Sequence, residues 1–472
     1  SSVGQLRAGA VILTSGTFLG GLLHLGMETR LGGRVGANGA QRLAARLRGM
    51  GLPMGRLKTG TPPRLDGRTI DWSGLERQPG DAVPSLFSPL FNTALPPQID
   101  CYISRTTSAT HDAIRRNLDR SPLYSGRIEG VGPRYCPSIE DKVMRFGDRD
   151  GHQVFLEPEG LDDPLVYPNG ISTSLPLDVQ QAIVQSIPGL ERCRIVQAGY
   201  AVEYDHIDPR ALDGSLQLLA LPGLWLAGQV NGTTGYEEAA AQGLVAGINA
   251  AGVRWVPDRA TSYIGVMIDD LVTQGVSEPY RMFTSRAEFR LRLRADNADM
   301  RLTPIGLELG CIGPERAAHF RARQEAIAAL TQSLQTQRIP AAKLPAVKGD
   351  GLARSAWEWA RFPDVDWAGL QRAAPELRGA DDIVETVLTD ARYAVYLERQ
   401  DAEVARARQD EAVIVPRGTN FRAVPGLSME MAERLERAAP ETLGQAARVR
   451  GVTPAAITAL LAHLRKSAIR AA

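Results

Sequence analysis

The stretch Leu224-Trp225-Leu226-Ala227-Gly228-Gln229-Val230-Asn231-Gly232-Thr233-Thr234-Gly235 contains the pattern from which the fold of this chain follows. Its first four residues read as a hydrophobic strand, and Gly228 ends that strand with a residue whose missing β-carbon lets the backbone approach a ligand. A helix of small residues follows, to about Ala251. We predict that it begins at Thr234, whose side chain forms a capping box with Glu237. Strand, turn and helix in this order are typical of an α/β fold.

The start of this helix is a candidate binding site, because its free amides and the positive end of its dipole suit a pyrophosphate or a flavin carbonyl. The alternative is a turn that binds nothing, since such turns are common in α/β folds. The sequence contains no G-x-G-x-x-G after a first strand to decide between them. We assign to this site the residues of the turn and those that follow an earlier strand at residues 11–13, namely Gly228, Gln229, Asn231, Gly232, Thr233, Thr234, Ser15 and Gly16.

On either side of this unit, the amino-acid composition of the chain changes several times. Residues 58–194 are rich in turns and short strands, whereas the chain after about residue 312 has the Ala, Arg, Gln and Glu composition of helices. In the last of these helices, Thr453 is placed to cap and Pro454 suits the first position. We therefore predict an α/β protein with an inserted α+β domain and a C-terminal all-helical domain. The predicted domains are residues 1–57 with 195–257, residues 58–194, a strand-and-helix region at 258–412, and a helical subdomain at 413–472.

The composition is that of a globular protein, with 44% hydrophobic and 23% charged residues among 472. Lysine and arginine total 54 against 53 acidic residues, so overall charge neither favours nor excludes a nucleic-acid partner. No apolar run approaches the roughly 18 residues of a membrane helix. We expect no membrane association and a cytoplasmic location. The chain starts with Ser1 and enters a strand pattern almost at once, so we expect it to be part of a longer protein.

Of the four cysteines, Cys136 has the context of a nucleophile. Pro137 suits the first position of a helix, and Glu140 and Asp141 suit its first turn. Cys136 is therefore the predicted N-cap, where the dipole and nearby Arg134 or Lys142 stabilise a thiolate. The alternative is an inert, buried thiol, which is how most free cysteines behave. The cysteines form no CxxC pair, and we predict no metal site.

Two local arginine clusters are candidates for binding phosphates. As a strand, residues 289–294 (FRLRLR) would present three guanidinium groups on one face, and residues 56–64 form the second cluster. The alternative is a solvated face on which arginines pair with neighbouring acidic residues. The residues assigned to nucleic-acid binding are Arg56, Lys58, Arg64, Arg281, Arg286 and Arg290.

Together, several segments resemble signatures of the MnmG (GidA) family of tRNA-modifying flavoproteins. They are GRLKTGTPPR (55–64), EGVGPRYCPSIEDK (129–142), NGTTGYEEAA (231–240), PYRMFTSRAE (279–288) and GVTPAAI (451–457). The resemblance implies an FAD/NAD(P)-binding Rossmann-like domain whose glycine-rich first segment precedes this sequence. It also implies addition of a carboxymethylaminomethyl or aminomethyl group at carbon 5 of the tRNA wobble uridine, with FAD, NADH and methylenetetrahydrofolate, and with glycine or ammonium as nitrogen donor.

The resemblance also assigns roles to residues. Cys136 matches a nucleophile toward the uridine ring, and Gln229 matches an FAD contact. The resemblance also associates the inserted domain with NADH and substrate. The residues that it assigns to this role are Gly132, Pro133, Arg134, Tyr135, Pro137, Ser138, Ile139, Glu140, Asp141, Lys142 and Phe146. The expected partners are tRNA and a GTPase of the MnmE family, in a heterotetramer built on a homodimer of this chain.

Three other functions remain open at this point. A folate- and FAD-dependent tRNA uridine methyltransferase shares the flavin domain but lacks so long a helical tail. A catalytically silent fragment that only binds tRNA and a partner is the second. A flavin oxidoreductase acting on small molecules is the third, although it gives the arginines and the helical tail no purpose.

Overall fold

The computed structural model describes residues 4–82, 84, 86–88, 90, 97–134, 137–147, 149–344 and 351–471, the side chains of the last five residues excepted. Its strands are β1 (Val11–Leu13), β2 (Leu22–Leu25), β3 (Glu28–Leu31), β4 (Met54–Thr61), β5 (Arg64–Asp66), β6 (Glu76–Gln78), β7 (Cys101–Arg105), β8 (Gln153–Pro158), β9 (Leu165–Asn169), β10 (Ile195–Gln197), β11 (Tyr200–Ile207), β12 (Leu224–Leu226), β13 (Arg338–Pro340) and β14 (Ala353–Ser355).

The helices are α1 (Gln41–Gly49), α2 (Ser108–Arg115), α3 (Ile139–Arg145), α4 (Leu177–Gln185), α5 (Tyr236–Ala250), α6 (Tyr263–Gln274), α7 (Ala298–Glu308), α8 (Pro314–Thr336), α9 (Ala356–Trp359), α10 (Trp367–Ala373), α11 (Asp381–Glu411), α12 (Met429–Ala438), α13 (Leu443–Arg448) and α14 (Pro454–Ala471). Within the described residues, none of these helices has both the length and the apolar surface needed to cross a membrane.

The chain forms two compact units, of which the first contains Ser1–Ala251 together with Gly275–Arg281. In this unit, β1 and β12 pair in parallel, a second sheet has the order β3-β2-β11-β4, and a third has the order β10-β5-β9-β8-β7-β6. The third sheet is antiparallel throughout, and its core is formed by aliphatic side chains of its strands and of α2, α3 and α4. An inserted antiparallel sheet of this kind is what the turn-rich sequence after residue 58 predicts.

The second unit contains Gly252–Gln274 and Met282–Ala472 and is mostly helical. One core surrounds Trp359, whose indole is fully buried between α8, α10 and α11, and whose Nε1 donates to the carbonyl of Ile339 at 2.8 Å. A second core lies among α12, α13 and α14. The predicted cap of the last helix is confirmed, because Thr453 Oγ1 accepts a hydrogen bond from the amide of Ala456. The predicted fold class, α/β with an insertion and a helical C-terminal region, is confirmed.

Residues 289–294 do not form a strand, so this prediction is wrong. The amides of Arg292 and Leu293 donate to the carbonyl of Phe289, which folds the segment into a turn. Phe289 and Leu293, four residues apart, are both buried, whereas a strand would place them on the same face as Leu291. The alternation of apolar and basic residues was misleading because only two of the three apolar side chains enter the core.

Candidate functional site

Parallel pairing of β1 with β12 brings two distant parts of the sequence to one edge. Leu13 lies opposite Leu226, and the amide of Ala227 donates to the carbonyl of Leu13 at 3.1 Å. The carboxyl ends of both strands therefore meet, and Gly16 faces Gln229, whose Oε1 would be 3.4 Å from a β-carbon placed on that glycine. The residues assigned to the site around Ser15 and those around Gly228 thus lie together, as predicted ligand-binding residues at strand ends should.

The turn after β12 is held rigidly by one glutamine of α5. Gln242 is fully buried, and its Oε1 accepts hydrogen bonds from the amide of Gly228 at 2.9 Å and from Nδ2 of Asn231 at 3.0 Å. Nδ2 of Asn231 also donates to the carbonyl of Leu226 at 2.8 Å. Gly228 and Gly232 have φ angles of 86° and 78°, which glycine adopts without the strain that a side chain would bring. The backbone of the turn is therefore organised by the protein alone.

The predicted capping box at Thr234 is wrong, because α5 begins at Tyr236 and its N-cap is Gly235, without a side-chain cap. The residues before it pair with a separate segment: Tyr280 donates its amide to Gly232 at 2.9 Å and accepts the amide of Thr234 at 2.9 Å. Thr233 Oγ1 donates to the same carbonyl of Tyr280 at 3.0 Å. This non-local pairing holds the backbone of Thr234 outside the helix, and its hydroxyl makes no hydrogen bond to the described residues of the first turn.

Three polar atoms at this edge are buried and lack a hydrogen-bond partner among the residues that the structure describes. They are Ser15 Oγ, Asn231 Oδ1 and Thr234 Oγ1. An unsatisfied buried polar atom costs about 1–3 kcal/mol, so three of them at one edge of the fold mark it as a candidate binding site. Two hydroxyl groups and an amide oxygen beside a rigid, glycine-containing turn fit the polar edge of a flavin nucleotide.

The second assigned region, residues 129–142, is anchored at both ends, while Tyr135 and Cys136 lie outside the described residues. The predicted N-cap at Cys136 is wrong: α3 begins at Ile139, and the N-cap is Ser138, whose Oγ accepts the amide of Asp141 at 3.3 Å. Serine caps a helix well through its hydroxyl oxygen, whereas a thiol is a weak acceptor. Glu140 lies in the first turn of α3, as predicted.

Inside this region, Glu140 is the most unusual group. It is fully buried, and burial raises the pKa of its carboxyl group. Oε1 of Glu140 accepts a hydrogen bond from Thr173 Oγ1 at 2.9 Å, but Oε2 has no partner within the described residues. Lys142 donates from Nζ to the carbonyl of Gly170 at 2.8 Å, and Phe146, just after α3, is about half exposed. A buried, half-satisfied carboxyl group four residues after Cys136 is a chemical feature that the sequence alone did not mark.

The segment Gly275–Arg281 connects the two assigned regions. Its Tyr280 pairs with the turn after β12, while its Glu278 lies 3.5 Å from the guanidinium group of Arg134 in the second region. Arg281 of the same segment donates from Nε to Glu238 of α5 at 3.2 Å. The residues predicted to bind FAD and those predicted to surround Cys136 are therefore bridged by a single short stretch of chain.

The residues assigned to tRNA binding occupy diverse environments. Arg56 donates to Asp205 at 2.7 Å and Lys58 is buried, whereas Arg64 pairs with Glu159 and stacks over the Tyr167 ring. In the second unit, Arg286 lies 3.9 Å from Asp270, and Arg290 is exposed. The alternative of arginines paired with acids thus describes several of them, and their role in tRNA binding stays a prediction.

The fold and the site define a class: a mixed α/β protein with an inserted antiparallel sheet, a structured strand–turn–helix edge and helical C-terminal domains. Residues 2–254 match the family model of glucose inhibited division protein A. Residues 314–401 and 403–472 match the C-terminal helical domain and the C-terminal helical bundle of the tRNA modifying enzyme MnmG/GidA.

Individual relatives agree with these models. The chain is 53% identical over 470 residues to the tRNA uridine 5-carboxymethylaminomethyl modification enzyme MnmG of Zymomonas mobilis, a match that covers 98% of this chain and 76% of the relative. Two crystal forms of Aquifex aeolicus GidA superimpose with TM-scores of 0.85 and 0.84, at 41% and 42% identity, covering 96% of this chain and 75% and 76% of theirs. The chain belongs to the MnmG/GidA family of tRNA-modifying enzymes.

Proposed function

We propose that this chain modifies the wobble uridine of tRNA, adding a carboxymethylaminomethyl or aminomethyl group at carbon 5. Family membership supports the reaction class, since the Zymomonas mobilis relative is named for this modification. The observation that carries the proposal for this chain is the bridge formed by Gly275–Arg281, which ties the candidate flavin edge to the region of Cys136. Cofactor and nucleophile have to act on one substrate, and this arrangement supports that.

FAD is the cofactor that the strand–turn–helix edge is proposed to hold. Ser15 and Thr234 offer hydroxyl groups, and Asn231 offers an amide oxygen, and all three atoms are buried without a hydrogen-bond partner among the described residues. Glu237 and Glu238 fill the first turn of α5, which disfavours a pyrophosphate there and favours an uncharged flavin carbonyl. When bound, FAD supplies reversible transfer of electrons between NADH, the folate-derived carbon and the substrate. Gln242 accepts the amide of Gly228 and so holds the turn in the conformation that is proposed to contact the flavin ring.

Cys136 is the proposed nucleophile. A thiolate that adds to the uridine ring beside carbon 5 makes carbon 5 electron-rich, so that it attacks a one-carbon unit carried by methylenetetrahydrofolate. We assign the NADH-related role to the surrounding residues, from Gly132 through Arg134 and Ser138 to Phe146. Pro133, Tyr135, Pro137, Ile139, Asp141 and Lys142 belong to the same assignment.

The partners proposed for this chain are tRNA and an MnmE-family GTPase, in a heterotetramer with two copies of each, acting in the cytoplasm. The helical region of residues 314–472, which the family models describe as C-terminal helical domains, is the proposed contact for both. Arg281, Arg286 and Arg290 are the proposed phosphate contacts, together with Arg56, Lys58 and Arg64.

Reconstitution tests the proposal. The purified chain is mixed with an MnmE-family GTPase, GTP, FAD, NADH, methylenetetrahydrofolate, unmodified tRNA and either glycine or ammonium, and the digested tRNA is analysed by mass spectrometry. We expect carboxymethylaminomethyluridine with glycine and aminomethyluridine with ammonium. Cys136→Ser should abolish both products, and Cys311→Ser, which changes an exposed cysteine, should leave them.

The same assay separates the alternatives. Formation of 5-methyluridine, without an amine donor, would identify a folate-dependent methyltransferase. Binding of tRNA without any product, by a chain that retains no flavin absorbance after desalting, would make it a binding fragment. Product formation that is unaffected by Cys136→Ser would refute the role of that thiol.

A further inference from the structure

A buried carboxylate in the central part of the four-stranded sheet has no role in the function described above. Glu203 lies in β11, between Lys58 of β4 and Leu22 of β2 in the register of the sheet. Its residue is only 3% exposed. Burying an ionised carboxyl group costs several kcal/mol unless charges and hydrogen bonds compensate. The contacts of Glu203 therefore indicate its structural role.

Both oxygens of Glu203 are fully used. Oε1 accepts the amides of Glu129 at 2.9 Å and Gly130 at 2.7 Å, and Oε2 accepts Nε2 of His24 at 2.8 Å. The guanidinium group of Arg56 lies 3.8 Å from Oε2. Burial by itself would raise the pKa of Glu203, but the hydrogen bonds of His24 and Gly130 and the charge of Arg56 hold it below its usual range. Glu203 therefore acts as a carboxylate.

The two amides that Glu203 accepts belong to residues 129 and 130, the first residues of the region that contains Cys136. The next residues continue along β4: the carbonyl of Val131 accepts the amide of Lys58 at 3.0 Å, and a β-carbon on Gly132 would come within 2.5 Å of Lys58 Cε. At the other end, the amide of Ile139 donates to Ser172 at 2.8 Å. The carboxylate of Glu203 thus holds residues 129 and 130, a contact that we call the carboxylate clamp, and Ser172 holds the start of α3.

We propose that Glu203, oriented by His24, is a positioning residue: it fixes the backbone at residues 129 and 130, at the start of the segment that contains Cys136, and the proposed reaction of that thiol with the uridine ring depends on this contact. This inference rests on the proposed function, since it gives the clamp a catalytic purpose. It concerns residues that lie 73 and 74 positions away from Glu203 in sequence, and a hydrogen bond to His24 spans 179 positions. A carboxylate suits this position because both of its oxygens accept hydrogen bonds, one from the two adjacent amides and the other from the ring N–H, and its charge strengthens all three.

The test compares Glu203→Gln, which keeps the shape and removes the charge, with Glu203→Asp, which keeps the charge and shortens the reach. The matched control is Asp66→Asn. Asp66 is also a buried carboxylate of the first unit that accepts a backbone amide and pairs with two arginines, Arg68 and Arg194, but none of these contacts involves the described residues of the region 129–138.

Two readouts are needed. Hydrogen exchange followed by mass spectrometry reports the amides of residues 129 and 130 directly, and steady-state kinetics of tRNA modification separate kcat from KM. For Glu203→Gln we expect exchange at these amides to be about tenfold faster, and kcat to fall by on the order of 10²-fold. The KM for tRNA should stay within about twofold of wild type, since only the reacting group is misplaced. Glu203→Asp should recover part of kcat, and Asp66→Asn should change neither readout.

Unchanged exchange at residues 129 and 130 in Glu203→Gln would overturn the clamp itself. Faster exchange with an unchanged kcat, or an equal loss of kcat in Asp66→Asn, would overturn its catalytic purpose. A wild-type chain that gives no modified nucleoside would instead refute the proposed function, and the exchange measurement would still decide whether Glu203 holds this region.

Discussion

Replacing Arg448 by methionine is the sharpest test of how the helical region is held together. Arg448 ends α13, and its side chain, which is 20% exposed, reaches α6 and α11. Nε and Nη2 each donate to one oxygen of Asp269 at 2.9 Å, and Nη1 pairs with Glu411. Burial alone would lower the pKa of Arg448, but Asp269 and Glu411 raise it, so the guanidinium stays charged and links three helices.

The free-energy cost of the substitution depends on which partners Asp269 and Glu411 keep. Removing one member of a fully buried ion pair costs about 3–5 kcal/mol. Asp269 keeps a bond to Arg259 at 3.1 Å, and the Glu411 side chain is 35% exposed, so water replaces part of what is lost. We therefore expect a loss of about 2 kcal/mol of local stability. Such a loss makes opening of α13 about 30-fold more frequent.

Hydrogen exchange at the amides of α13 measures this opening directly, without assuming that the whole chain unfolds in one step. The control is Arg437→Met, which makes the same change at an exposed position of α12 and should leave the exchange rates as they are. Exchange in Arg448→Met within about twofold of wild type would refute the reasoning, because it would show that the ion pairs add nothing to the docking of α13.

Three further outcomes are expected. Burial raises the pKa of Glu140, so its stabilising contribution is present below the unfolded-state pKa and is lost as the pH rises through the folded-state pKa. In urea unfolding, the free energy of unfolding of wild type should fall relative to that of Glu140→Gln when the buffer is changed from acidic to alkaline. Trp359→Ala should lower the free energy of unfolding of the helical region by about 3–5 kcal/mol, as followed by circular dichroism in urea, because a fully buried ring is removed and the carbonyl of Ile339 loses its donor. Gln242→Leu leaves the amide of Gly228 without its acceptor, and a fluorescence titration should show FAD binding at least about tenfold more weakly.

Local signals in the sequence predicted those parts of the fold that local interactions determine. The strand before Gly228 and the small-residue helix after it are hydrophobic and steric patterns within a few residues, and both are present. The cap at Thr453 is likewise a contact across three residues. Such features depend on neighbours that the sequence already places side by side.

The errors have two physical causes: local contacts displaced the strand predicted at residues 289–294 and the cap predicted at Cys136, and pairing with distant residues accounts for the rest. Thr234 has the sequence of a capping box, but Tyr280 holds its backbone in another direction. The clamp at Glu203 could not be foreseen, because a glutamate in a strand usually indicates a solvent-facing position. Its acceptance of the amides of Glu129 and Gly130 becomes visible only when β11 is placed in the centre of its sheet.

The path of the chain through Gly275–Arg281 limits how the protein can be divided. A polypeptide that stopped at Ala251 would contain nearly all of the first unit but would lack Tyr280, the hydrogen-bond partner of Gly232 and Thr234. It would also lack Glu278, which pairs with Arg134 at 3.5 Å. Seven residues that come after α6 in sequence are thus needed to complete a site whose other parts come before it. Fusion, truncation or recombination at that boundary would remove these contacts, so an expressed first unit keeps all of them only if the chain continues through Arg281.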